Sequence, residues 1–175
     1  MRDRLGVVHY NLASYTWPGW GGDDAELVLT AAQVERGRRA AYANVLLHDL
    51  MDSSPRKRSN SRWMAAVHEI AAGNDPAALK LFVEMRRIAQ AHELDGEDWI
   101  RGWELVISLL REVNDTRRIE LDTLVARMSA TQDGRVFADQ FGVALQVLAA
   151  TPCAKVVRCK GPDCLCVPGP EQSRR

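Results

Sequence analysis

Four cysteines, Cys153, Cys159, Cys164 and Cys166, crowd into 14 residues near the end of this 175-residue chain. Four thiolates are the set that a tetrahedral zinc ion takes, and Gly161-Pro162 supplies the turn that a ligand loop needs. Their spacing is not that of paired CxxC knuckles, so a reduced thiol tail and disulfides stand beside zinc as alternatives. Cys164 and Cys166 are too close to pair comfortably with one another. The rest of the chain has no cysteine, so none of the four can staple it, and a cytoplasmic home is the simpler expectation. His68-Glu69 and His92-Glu93 open like a zinc-protease motif. Neither has a second histidine three residues after the Glu, and that reading is rejected. No glycine-rich phosphate loop and no nucleophile elbow occurs. The basic run Pro55-Arg56-Lys57-Arg58, with Arg62, lacks the interleaved aromatic residues that grip a nucleic-acid strand, and it reads as solvated linker.

Any site must be positioned by helices, because apolar residues recur at helical spacing along most of the chain. The best-formed stretch is 61–85. Trp63, Val67 and Ile70 make one stripe, Gly73 suits a left-handed helix end, and Asp75-Pro76 restarts a helix that carries Ala78, Leu79, Phe82 and Val83. So short a link forces an antiparallel hairpin. Upstream, residues 4–17 read as a helix with Leu5, Val8, Leu12 and Tyr15 on one side. A loop follows, in which Trp17 and Trp20 are expected to plug an apolar surface. Thr30 caps the next helix, whose second half, with Val45, Leu46 and Leu50, is expected to be deeply buried. Residues 53–61 read as a linker. Three further helices follow: one from Asp98, one capped at Asn114-Asp115, and one over 135–150 after a turn at 131–134.

These elements predict an all-α fold of seven helices over residues 1–150, with 151–175 as a cysteine-containing tail. The expected core includes Trp63, Phe82, Val45, Leu46, Phe137 and Phe141. Hydrophobic residues at 46% and charged residues at 26% suit a folded body long enough to bury a core. Lys plus Arg and Asp plus Glu both total 23, so bulk electrostatic capture of nucleic acid or membrane is not expected. Neither export nor membrane insertion is predicted, for no apolar run approaches the length of a span.

Aligned in pairs, the helices place Tyr10-Asn11-Leu12-Ala13-Ser14, Trp63-Met64-Ala65-Ala66 and Trp103-Glu104-Leu105-Val106 at equivalent points, each opening a helix-turn-helix unit. This resembles the tetratricopeptide repeat, with the second unit matching best. The unit starts, at His9, Trp63 and Trp103, are 54 and 40 residues apart instead of the family's period of about 34, so residues 17–24 and 53–61 stand as insertions. The resemblance implies stacked antiparallel hairpins, as a right-handed solenoid, with a helical bundle as the alternative. It also implies a partner groove along the first helices, at Tyr10, Ser14, Met64, His68, Glu104 and Arg111. Met64 and His68 do share a stripe offset from that of Trp63, Val67 and Ile70.

His48-Asp49, with His9 upstream and Asp139 downstream, resembles the HD phosphohydrolases, all-helical enzymes that hold a metal with a His, a His-Asp pair and a distant Asp. That resemblance implies a divalent cation activating water. The alternative is that His48 simply follows Ala41, Asn44 and Val45 on a packed helix face. The expected function is therefore a non-enzymatic scaffold binding a protein or peptide. The metal-dependent phosphohydrolase and a helical oligomerisation domain are the alternatives.

Overall fold

Seven α-helices and no strand occur among the residues described by the computed structural model, 2–17 and 29–150. They are α1 (Arg2–Tyr15), α2 (Ala31–Leu50), α3 (Pro55–Ala71), α4 (Asp75–Ala91), α5 (Glu97–Arg111), α6 (Asp115–Met128) and α7 (Gln132–Ala150). The four cysteines and Trp20 lie outside the described residues.

Local chemistry sets most of the boundaries. The Gln33 amide donates to the Thr30 hydroxyl at 3.3 Å, and the Thr30 amide donates to Gln33 Oε1 at 2.8 Å, a reciprocal box that satisfies the orphan donors opening α2. Asn114 Oδ1 likewise accepts from the Arg117 amide at 3.0 Å to open α6. Gly73, with φ of 73°, ends α3 in the left-handed region. Glu93 takes the same region, with φ of 51°, just after α4 stops at Ala91.

The expected linker at 53–61 is mostly helix. Pro55 stands at the first helical position, where its missing N–H costs nothing, and α3 runs from there to Ala71. Two of its basic residues, Arg58 and Arg62, are held by α2, the turn after it and α4. Arg62 chelates Asp49 of α2 at 2.8 and 3.0 Å and also donates to Glu84 of α4 at 3.0 Å. The α4–α5 and α5–α6 joints carry similar clasps, Arg86 to Glu97 and Glu104, and Arg127 to Asp98.

Consecutive helices pack on each other, α1 also meets α3, and α5 packs on both α6 and α7. Gly6 faces Asn44 and His48 near the end of α2, and Thr16 meets Gly37 near its start, so α1 and α2 are antiparallel. The core is an aromatic ladder. Trp17 lies 5.6 Å from Trp103 and 6.1 Å from Trp63, Trp63 lies 4.9 Å from Trp99, and Trp103 meets Phe141 at 5.3 Å. Trp17 also donates through Nε1 to the Val67 carbonyl at 3.1 Å, so it is the expected plug. Gly102 makes room for the Phe141 ring, because any Cβ there would enter it.

Trp63, Phe82 and Phe141 are buried as expected. Leu46 and Phe137 are not, and Val45 is only partly covered. The second half of α2 turns Asn44 to α1 and Asp49 to α3, which leaves Leu46 and Leu50 on a face with no helix against it. Phe137 packs its ring 5.2 Å from Trp99 and leaves 42% of its surface exposed.

Candidate interaction surface

The residues suggested for a hydrolytic centre are not brought together. Asp49 is committed to Arg62, and Asp139 is exposed on α7, the helix that packs on α5 and α6. His48 Nδ1 lies 2.9 Å from Ser53 Oγ, and His9 is half-buried on α1. Among the described residues, no three His, Cys, Asp or Glu side chains stand close enough to share a metal ion.

The groove expected along the first helices does not form from its six residues. Met64 and His68 are fully buried, because α1 lies over the stripe that carries them. His68 Nε2 donates to the Ala13 carbonyl of α1 at 2.9 Å, and Gly37 of α2 closes the other side. Beside it, Glu69 is also buried and accepts from Arg38 at 2.9 Å and Asn74 at 2.7 Å. Tyr10 is half-buried against the core, and burial pushes its phenol up from the usual tyrosine value. Ser14 is partly covered on the same helix. Glu104 accepts from Arg86 at 3.1 Å, and Arg111 donates to Asp75 at 2.6 Å, so both are spent in the α4–α5 joint.

What faces solvent instead is the apolar stripe of α1. Val8 is 59% exposed and Tyr15 79%, with Leu5 and Leu12 well exposed between and beside them. The opposite flank, Gly6, Tyr10, Ala13 and Trp17, is the one that packs inward, since two small residues let the backbone of α1 approach its neighbours closely. Leu5 and Leu12 fall, by helical geometry, on the flank of α1 that Thr16 turns towards α2. On α2, Leu46 is 59% and Leu50 73% exposed, near the end that Gly6 touches. Leu46, two residues from both Asn44 and His48, falls on the side of α2 away from α1, so the two exposed leucines do not extend the α1 row. Sequence periodicity finds the α1 stripe but assigns it no partner. The small residues at 6 and 13, seven apart like the aromatics at 10 and 17, are the signal that marks the other flank as the buried one.

Among the described residues, no helix is long and apolar enough to cross a membrane. No protein-family model matches this chain, and comparison with curated proteins and with solved structures finds no significant match.

Proposed function

We propose that this chain is a non-enzymatic helical scaffold that binds a protein partner, presented as a helix or peptide, on the outward apolar row of α1. The observation that carries this reading is the row Leu5, Val8, Leu12 and Tyr15, large apolar side chains at helical spacing that keep 36% to 79% of their surface exposed. Such a row is the usual seat for the apolar face of another helix. The stacking of α1–α2, α3–α4 and α5–α6 as consecutive hairpins, with α7 closing the last, fits the solenoid that the tetratricopeptide resemblance implies. The binding face is moved from the inner groove to the outer one, because α1 fills the former.

Affinity capture tests it by comparing wild type with Val8→Glu/Tyr15→Glu. Both substitutions are on exposed positions, so the variant should keep its helix content and melting temperature while losing the bound proteins. A folded variant that retains every partner of the wild type would sink the reading.

A further inference from the structure

The α1 row is self-complementary, and from this we infer that its occupant is a second copy of the same chain, paired antiparallel about a two-fold axis. This rests on reading the α1 row as an interaction surface and names what fills it. The intervals from Leu5 to Val8, Leu12 and Tyr15 are three, four and three residues, the alternation of a helix–helix seam. They are also palindromic. Antiparallel pairing centred on position 10 sets Leu5 opposite the partner's Tyr15 and Val8 opposite the partner's Leu12, and the reverse pairs follow by symmetry. Every apolar layer then meets an apolar layer, which is what an isologous contact requires of one sequence. A different helix would need to reproduce that spacing; a second copy has it already.

Charge agrees. Between Leu5 and Tyr15 the only titratable groups before the terminal tyrosine are His9 and Tyr10, so no pair of like formal charges faces itself across the axis. Arg4 comes to lie beside the last turn of the partner's α1, the negative end of that helix, which has no basic residue of its own. The net charge of zero removes long-range repulsion between copies. Size sets the strength. At 1.5 Å per residue α1 is about 21 Å long, and one helix is about 10 Å across, roughly 200 Å² in projection per copy. A seam of α1 alone therefore falls below the roughly 1,000 Å² of a stable specific contact. The dimer is therefore a reversible one.

Sedimentation of the full chain in reducing buffer, from about 1 to about 100 µM, covers the range expected of so small an interface. Wild type should shift from monomer to dimer. Leu12→Glu and Val8→Lys should each be monomeric with unchanged far-UV spectra. An equal mixture of the two should dimerise again, because the introduced lysine of one copy then faces the introduced glutamate of the other across one layer, while the other layer stays native. Three results would overturn the inference: a wild type that is monomeric throughout, a wild-type dimer indifferent to Leu12→Glu, or a mixture that stays monomeric. A monomeric wild type whose Leu12→Glu form loses captured proteins would leave the scaffold reading standing with a foreign partner. A monomeric wild type whose Leu12→Glu form melts lower would mean that this chain's own segment 18–28 or 151–175 takes the face.

Discussion

Protonating His68 would place a cation in a site closed by Ala13, Thr16 and Gly37, and burial accordingly pushes its pKa below the usual histidine value. The hydrogen bond to the Ala13 carbonyl and the neighbouring Glu69 carboxylate pull the other way, while Arg38 acts with burial. In the unfolded chain the same imidazole takes up its proton near the ordinary value of about 6.5. Between that value and the lower folded one, the unfolded state binds more protons than the native state, so stability is whole above about pH 6.5 and is lost as pH falls. Thermal melts from about pH 7.5 to about pH 5 should show a falling midpoint whose slope flattens in His68→Gln, which keeps a donor for Ala13 but cannot titrate. An identical slope in the two proteins would place the pH sensitivity elsewhere. His68 was legible as a residue on a helical stripe, but its covering was not, because the helix that covers it lies over 50 residues away in sequence.

Among the elements, α3 depends most on contacts that local pattern does not reveal. Residues 53–61 carry proline, serines and four basic or amide side chains, a composition that reads as linker. They fold as helix because Pro55 needs no partner at the first position and because Arg58 and Arg62 find Asp49, Asp52 and Glu84 on α2, the turn after it and α4. Arg62→Ala should cost about 2–3 kcal/mol in urea unfolding, since it removes a buried guanidinium from two carboxylates at once. The exposed Lys57→Ala should stay within about 0.5 kcal/mol. Equal, small effects would show that the clasp is idle and that α3 is held by its apolar face alone. The boundaries that were legible are the ones set within a few residues: Thr30 with Gln33, Asn114 with Arg117, and Gly73 between two stripes. The outward row of α1 was legible as a stripe and not as a surface, because periodicity shows which residues share a side and not which side meets the core.

At the scale of the whole molecule, the four N-terminal helices and the three that follow are joined through α4–α5 ion pairs and through the aromatic ladder. The ion pairs are partly exposed, and pairs of that kind contribute little, about 0–1 kcal/mol each. The ladder is therefore the coupling that matters. Trp17 occupies its junction, edge-on to Trp63 of α3 and to Trp103 of α5, and it alone ties the end of α1 to both. Trp17→Ala opens a cavity where three helices meet, and large aromatic deletions of this kind cost about 3–5 kcal/mol. Lost stability should be accompanied by lost cooperativity, because the end of α1 then loses its ring contact with α5 and is left to its packing on α2 and α3. Heating the wild type should give coincident transitions by near-ultraviolet and far-ultraviolet dichroism, the mark of one unit. In Trp17→Ala the near-ultraviolet signal of the remaining tryptophans should melt at a different temperature from the helix signal. If the variant instead unfolds in one coincident step at the wild-type midpoint, the two halves are coupled by something other than this ring.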